Sequence, residues 1–306
     1  MTQKDAGAIR VVSADGVWLD DAHKPRRIVV DSIYHRAINL QDEQGELFTL
    51  AARALDDAPR TARLDVHDFT TWPIHPGQYL NMTRGQTLGE QLPMLDWSAA
   101  RRRPRQIPVV AQASSEVLER AASVLRRALE QRPLGGAAKP RAEDSSIAAH
   151  FARSIYQAAD ALRLAVTSRD PARLHEAFEA AIGLGPGSTP SLDDFLTGIL
   201  LVASHPDSSM HFMVDQLRGY LRRHLAKTTN VSMAMLTAAL NADFSTTLVG
   251  VANALVSGGT ENETDFWINA ALGIGHSSGS DILTGLLAGL EMEQELREYL
   301  CLSQQW

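Results

Sequence analysis

Two glycine-rich segments carry the side chains best suited to chemistry, and the second repeats the first in shorter form. The stretch GLGPGSTPSLDDFLTGILL spans 183–201, and GIGHSSGSDILTGLL spans 273–287. In both, a Gly-x-Gly turn precedes a serine, an aspartate three residues later, and Leu-Thr-Gly within an apolar run. Asp194 and Asp281 are the corresponding aspartates. An internal repeat of this kind predicts two related loop-to-helix structures in one chain.

A glycine-rich loop that leads into a helix is suited to binding a small anion. Glycine permits positive φ and a close approach of backbone N–H groups, and the helix N-terminus adds about half a positive charge. We expect Ser191 and Ser278 to be N-caps, with Asp194 and Asp281 completing capping boxes. A well-capped core helix that binds nothing would show the same local pattern. Capping requires neither Gly-Pro-Gly nor a Thr-Gly pair, so we favour a site for an anion or polar ligand.

The predicted ligand-binding set of the two copies consists of loop residues and residues of the first helical turn. Its members are Gly185, Gly187, Ser188, Thr189, Ser191, Asp193, Gly273, Gly275, Ser277 and Ser278. The neighbours Asp193 and Asp194 point about 100° apart on a helix and cannot both line one pocket. One of them is therefore expected to cap the helix, and the other to reach the ligand or a Mg²⁺ ion.

An imidazole and a polar interruption add to these loops. His276 replaces Pro186 after the Gly-x-Gly of the second copy, where it could serve as a general acid or as a donor to an anion. A histidine that packs beneath its own loop would fit equally. With Asp194 and Asp281, it completes our predicted catalytic set.

The polar stretch 227–232 interrupts an otherwise apolar periodicity and has two interpretations. It is either a cap between two helices or a third edge of the ligand site. In the second case its ligand-binding residues are Lys227, Thr228, Thr229, Asn230 and Ser232.

The sequence lacks several common catalytic motifs. Neither a P-loop pattern nor Gly-x-Ser-x-Gly nor His-Glu-x-x-His is present, which excludes a P-loop NTPase and two frequent hydrolase types. His67 and His75 lie eight residues apart, but no further ligand cluster accompanies them, so no metal site is predicted there. The sequence predicts no cofactor, apart from the Mg²⁺ ion that an aspartate of the first copy could hold.

Length and composition are those of an ordinary globular protein. The 306 residues are 44% hydrophobic and 21% charged, which suits two domains with a substantial core. A net charge of −7 gives no indication of nucleic-acid binding. The apolar runs are shorter than the ~20 residues of a membrane span, no signal segment is visible, and one cysteine suits a reducing compartment. We expect a cytoplasmic protein that binds neither nucleic acid nor membrane.

The hydrophobic pattern predicts an α+β fold with the β-rich part first. Short alternating runs broken by turn residues indicate a small β-barrel or sandwich in a domain at 1–100. A basic linker at 101–112 follows. Apolar spacing near 3.6 then predicts a helical domain at 113–306 that contains both repeat copies. Gly198 and Gly285 lack side chains at equivalent positions, so the two repeat helices are expected to pack closely there.

The motifs of the helical part resemble a known bacterial family. GLGPGSTPSLDDFLTG, KTTNVS before an alanine-rich helix, and GIGHSSGSDILTG occur in that order within about residues 145–290. They are similar to the family that includes AllH, a subunit of the oxamate carbamoyltransferase of anaerobic allantoin breakdown. The resemblance implies phosphorolysis of oxalurate to oxamate and carbamoyl phosphate, with AllF and AllG as partner subunits. The Ser-Thr-Arg-Thr-Arg motif of ordinary transcarbamylases is absent, so carbamoyl transfer would use other residues or a partner.

Two functions from different classes follow. The chain is either a carbamoyltransferase-type subunit that binds small anionic ureido or carbamoyl substrates and phosphate at paired helix N-termini, or a non-catalytic subunit that binds an anion or metabolite. Both functions imply docking onto protein partners, AllF-like and AllG-like in the first case. The sequence does not decide whether this chain is an enzyme by itself.

Overall fold

The computed structural model describes residues 8–20, 26–83, 86–88, 93–131 and 147–303. The chain forms two compact units, Met1–Arg105 and Gln106–Trp306. Described strands lie in the first unit and the long helices in the second, so the α+β class is confirmed. The boundary between the units falls inside the stretch predicted as a linker.

The described part of the first unit contains nine strands and one short helix. They are β1 (Ile9–Ala14), α1 (Gly16–Asp20), β2 (Arg26–Ile33), β3 (Ala37–Asp42), β4 (Leu47–Ala52), β5 (Thr61–Leu64), β6 (Tyr79–Thr83), β7 (Gln86–Leu88), β8 (Leu95–Asp96) and β9 (Arg101–Arg102). The strand order is β7-β6-β2-β3-β4-β5-β1-β8, with β9 also beside β1. Strand pairs β4/β5, β1/β8 and β1/β9 are parallel, and the other pairs are antiparallel.

The described strands form one open mixed sheet, which corrects our expectation of a barrel or sandwich. Strand β1 pairs along one edge with β5, and its other edge is divided between β8 and β9. Strands β8 and β9 have only two residues each. They therefore offer little edge on which another strand could pair to close the sheet into a barrel. The sequence pattern shows alternation of apolar residues but not whether the two ends of a sheet meet.

Two polar contacts explain further differences from the sequence pattern in this unit. The run ending in Asp-Gly-Val-Trp-Leu becomes helix α1 because the Asp15 Oδ1 atom accepts from the Val17 N–H at 3.0 Å, as an N-cap does. Arg103, in the predicted linker, is buried and its Nη2 atom lies 2.6 Å from Asp15 Oδ2. The arginine-rich stretch thus begins as part of the first unit.

The described residues 106–131 and 147–303 contain helices and no strand, as predicted. After a 3-10 turn (Val110–Gln112), the helices are α2 (Ser115–Glu130), α3 (Ile147–Ser168), α4 (Pro171–Ala181), α5 (Ser191–Ala203), α6 (Phe212–Arg223), α7 (Asn230–Ala239), α8 (Thr246–Val256), α9 (Glu261–Leu272) and α10 (Ser278–Ser303). The sequence pattern did not reveal α9. None of the described helices has the length and apolar character of a membrane-crossing segment.

Helices α5 and α10 are the two repeat helices, and they cross at the expected glycines. All residues of α5 are buried. A Cβ atom at Gly198 would lie 2.0 Å from the Ile282 carbonyl oxygen, and one at Gly285 would lie 2.0 Å from the Phe195 carbonyl oxygen. Real Cβ atoms do not approach so closely, so the two backbones touch at a distance that only glycine permits. The predicted close packing is confirmed.

Alanine at this crossing is expected to destabilise the helical unit. Gly198→Ala must separate α5 from α10, and overpacking of this kind typically costs about 1–3 kcal/mol. Gly219→Ala in α6 is the matched control, since a Cβ there would meet only the mobile Arg223 guanidinium at 3.6 Å. Helix propensity then favours the alanine by up to about 1 kcal/mol. Urea unfolding followed by circular dichroism measures both variants, and equal effects would contradict the close crossing.

Candidate functional site

Three segments of the helical unit carry the predicted site residues. They are the first loop (182–190), the polar segment (227–232) and the second loop (273–277). The first loop lies directly against the polar segment. A Cβ at Gly183, where φ is +80°, would lie 2.3 Å from the Lys227 carbonyl oxygen. The Thr229 hydroxyl donates to the Ser188 carbonyl oxygen at 2.5 Å.

The polar segment is a helix cap, which is one of the two interpretations that its sequence left open. Thr229 is the N-cap of α7, and its side chain accepts from the Ser232 N–H at 3.1 Å. The same segment also forms one edge of the first loop through its contact with Ser188. Asn230 is exposed at the first position of α7.

Asp193 connects the first loop to the polar segment. Its side chain is fully buried, and its Oδ1 atom accepts from the Gly183 N–H at 2.9 Å. The Oδ2 atom accepts from the Ser232 hydroxyl at 2.5 Å and from the Thr228 hydroxyl. Burial raises the pKa of this carboxyl, while the hydrogen bonds act in the opposite direction. Both oxygens are engaged within the chain, so the geometry gives Asp193 a positioning role.

Asp194 connects the first repeat copy to the second. Its Oδ2 atom accepts from the Thr189 hydroxyl at 3.0 Å, and the Thr189 oxygen lies 3.0 Å from the Ser278 hydroxyl oxygen. The carboxyl is 1% exposed, whereas Thr189 and Ser278 are half-buried. Within the part of the chain that the structure describes, the Oδ1 atom of Asp194 is buried without a hydrogen-bond partner. Two partly accessible hydroxyls therefore cover an incompletely satisfied carboxyl.

The environment of Asp194 favours its protonated form. Burial raises the pKa of this carboxyl to about 7, opposed by hydrogen bonds from Ser278 and Thr189 and assisted by the charges of Asp281 and Asp193. Asp281, its counterpart in the second copy, is completely buried at the start of α10. A carboxyl that titrates near neutrality is suited to proton transfer at the pH of a cell.

The expected N-cap positions of the two serines are wrong. Helix α5 begins at Ser191, its N-cap is Pro190, and no side chain caps it. Ser278 is likewise the first residue of α10, and its hydroxyl lies against Thr189 across the repeat. In the first copy the loop lies close to the backbone of Ser191, because a Cβ at Gly185 would lie 2.3 Å from the Ser191 nitrogen. The first loop folds back onto the helix start, and the Asp193 and Asp194 carboxyls bond to other segments.

The two predicted cationic groups have surroundings of their own. His276 is exposed in the second loop. The Lys227 ammonium donates to Glu179 Oε1 at 2.7 Å, and Glu179 also accepts from the Tyr220 hydroxyl. Glu179 and Tyr220 were not predicted, because both lie on other helices outside the repeat.

The predicted glycines serve the loops in different ways. Gly185, Gly187 and Gly275 have φ values of +133°, +96° and +59°, a region that favours glycine. Gly273 instead has φ −76° and ends α9 as its C-cap. Ser277 accepts at its carbonyl oxygen from the Asp281 N–H at 2.9 Å. The loops are shaped mainly by backbone geometry, with side-chain chemistry concentrated at the helix starts.

Among the residues that the structure describes, no three His, Cys, Asp or Glu side chains are grouped so that they could hold a metal ion. Asp193 is already occupied by three donors. The cluster is therefore built from hydroxyl and carboxyl groups.

Fold and site define an α+β protein whose helical unit joins two glycine-loop repeats through buried carboxyls and half-buried hydroxyls. Comparison with known families matches both parts. The AllH family N-terminal domain matches residues 10–101, and the family described as oxamate carbamoyltransferase subunit AllH matches residues 181–290. The chain belongs to the AllH family. No solved structure matches it.

The raised pKa of Asp194 predicts a pH-dependent effect of Asp194→Asn on stability. The folded chain holds a proton up to about pH 7, whereas an unfolded aspartate loses it near pH 4. Wild-type stability therefore falls as the pH rises through this window, by up to about 1.4 kcal/mol per pH unit. The neutral amide removes that loss, so the stability advantage of the variant should grow from pH 4 to 7 and then stay constant.

Thermal or urea unfolding at intervals from pH 4 to 8 measures this advantage. Asp265→Asn, at an exposed position of α9, is the control and should follow the wild-type profile. Parallel profiles for wild type and Asp194→Asn would contradict a carboxyl that stays protonated at neutral pH.

Removal of the Asp193 carboxyl should release the first loop from the polar segment. Asp193→Ala leaves three donors without their acceptor, and each unsatisfied donor costs about 1–3 kcal/mol when buried. Hydrogen exchange resolves the effect locally, since the Gly183 N–H should lose its protection while the core amides of α10 keep theirs. Asp265→Ala serves as the control. An unchanged Gly183 exchange rate would show that Asp193 does not anchor this loop.

Proposed function

We propose that this chain is a carbamoyltransferase subunit that takes part in the phosphorolysis of oxalurate. In that reaction a phosphate oxygen forms a bond to the carbamoyl carbon, and the bond from this carbon to the oxamate nitrogen breaks. The phosphate loses a proton and the departing nitrogen gains one, giving carbamoyl phosphate and oxamate. The family description of the matching region supports this assignment at the level of the enzyme.

The observation that carries the proposal is the contact of Asp194 with Thr189 and Ser278. Proton transfer to the departing nitrogen requires a group that gains and loses a proton near neutral pH. Asp194 has a pKa of about 7, but it is too deeply buried to touch a substrate. Its proton can reach one through the hydroxyl of Thr189, which is 3.0 Å from the carboxyl and half-buried. Asp194 is thus proposed to act through the two hydroxyls.

The surroundings of the hydroxyls suit a small anion with a ureido or carbamoyl group. The starts of α5, α7 and α10 are linked to the first loop by hydrogen bonds, and helix N-termini favour negative charge. Hydroxyls and loop N–H groups can donate to carboxylate or phosphate oxygens. Part of the positive potential at these helix starts is already offset by acidic side chains of the first turns, Asp193, Asp194 and Asp281.

Cationic groups for the second anion are proposed to come from partner subunits. The Lys227 ammonium is directed to Glu179, which reduces its availability to a ligand. Two anionic substrates in one site require positive charge to offset their repulsion. AllF-like and AllG-like subunits are the partners that we propose for this role.

A non-catalytic anion-binding subunit is the second candidate. The burial of Asp194 and Asp281, 1% and 0% exposed, favours it, because neither carboxyl can contact a substrate directly. In this alternative the hydroxyl pair binds the anion and the partners perform the chemistry. Variants of the hydroxyls separate the two candidates.

The assembled enzyme tests the proposal. Oxamate and carbamoyl phosphate formation is measured with the chain alone, the partner subunits alone, and all subunits together. We expect activity only in the full assembly, with Thr189→Val and Ser278→Ala lowering kcat about 100-fold, the lower end of a general acid–base contribution. Ser245→Ala removes a comparable hydroxyl, the N-cap of α8, and should keep full activity.

Two results would reject the catalytic assignment. Partner subunits that are fully active without this chain would remove it from the reaction. Hydroxyl variants that raise KM while kcat stays unchanged would favour the non-catalytic binding subunit.

A further inference from the structure

Building on the proposed function, we infer that anion binding at the Thr189 and Ser278 hydroxyls is coupled to the uptake of one proton by Asp194. Asp194 is then a positioning residue whose protonation determines whether the two hydroxyls present donors or acceptors to the ligand. The inference rests on the hydrogen-bond geometry of three side chains and on the burial of the carboxyl.

The hydrogen count of the cluster leads to this coupling. Each hydroxyl has one proton to donate, and an ionised carboxylate can only accept. With Asp194 ionised, the Thr189 proton is directed to Oδ2 at 3.0 Å, and the Ser278 proton is best directed to the Thr189 oxygen or the carboxylate. Both hydroxyls then turn lone pairs outward, and lone pairs repel an anion.

Protonation of Asp194 reverses this polarity. The carboxyl O–H can donate to the Thr189 oxygen, which frees the Thr189 proton for another acceptor. The Ser278 hydroxyl, 3.0 Å from Thr189, gains the same freedom. One added proton at a buried position thus converts two outward acceptors into two outward donors, which is what an anion requires.

The charged groups around Asp194 favour its protonated form. From α5 the neighbouring charge is Asp193, and from α10 it is Asp281; both raise the pKa of Asp194. Helix α7, which packs on α5, has no titratable side chain between Asn230 and Ala239. An anion at the hydroxyls adds a further negative charge, so it strengthens the hold on the proton. Binding and protonation therefore favour each other, as thermodynamic linkage requires.

Sulfate is the suitable probe because it is a tetrahedral dianion that does not titrate between pH 6 and 8. Titration calorimetry of the full chain in two buffers of different ionisation enthalpy reports both affinity and proton uptake. Wild type should bind sulfate about fivefold more weakly at pH 8 than at pH 7, because the protonated fraction of a group with a pKa of about 7 falls by that factor over this interval. Uptake should approach one proton per sulfate at pH 8 and fall toward zero at pH 6.

Three variants identify the group that takes up the proton. Asp194→Asn, neutral at every pH, should bind sulfate equally at pH 6 and 8 without proton uptake. His276→Gln removes the exposed imidazole of the second loop and should retain the wild-type uptake. Thr189→Val keeps the carboxyl but breaks its link to the ligand, so it should lose the coupling as well.

Proton uptake that persists in Asp194→Asn, or wild-type sulfate binding that is absent or independent of pH, would overturn the inference. Its failure is distinct from failure of the proposed function. An active assembly whose sulfate affinity does not depend on pH would reject the coupling alone. A subunit that shows coupled sulfate binding but supports no phosphorolysis would reject the proposed reaction alone.

Discussion

The contact between the backbones of α5 and α10 is the constraint on which the helical unit depends. Gly198 and Gly285 allow carbonyl oxygens of one helix to occupy the space where the other would carry a Cβ atom. This approach brings the start of α10 to the first loop, where Ser278 meets Thr189 at 3.0 Å. A separation larger by one methyl group would break that contact. The polar cluster is therefore a consequence of apolar packing several residues away.

Burial of three carboxyls at this crossing has a large electrostatic cost that the fold offsets in two ways. Asp193 receives three hydrogen bonds from the first loop and the polar segment. Asp194 accepts fewer hydrogen bonds, and burial raises its pKa to about 7, which favours the neutral form. Helix N-termini contribute to both, because their partial positive charge lies beside the carboxyls. The two neighbours in sequence thus have different chemistry, one positioning a loop and one holding a proton.

The sequence predicted those features of the fold and site that depend on local pattern. Apolar spacing identified most helices, and two glycines at equivalent repeat positions identified the close crossing. The serine N-caps were predicted incorrectly. A Ser-x-x-Asp pattern is compatible both with a capping box and with a contact to another segment, and the pattern does not show that Ser278 meets Thr189. Glu179, which binds Lys227, could not be found since its partner is distant in sequence. The sequence also could not show that the sheet is open, because its end is formed by strands of only two residues.

The two copies of the repeat are similar in framework but differ in their side-chain contacts. Thr197 and Thr284 make the same hydroxyl contact to the carbonyl four residues earlier, at 3.0 and 2.7 Å. Asp193, however, corresponds to Ser280, whose hydroxyl donates within its own turn to the Ser277 carbonyl oxygen. The first copy is thus anchored to the polar segment through the Asp193 carboxyl, whereas Ser280 bonds within its own turn. Since Asp194 of this copy is linked through Thr189 to Ser278 of the other, the two repeats share one hydrogen-bonded cluster.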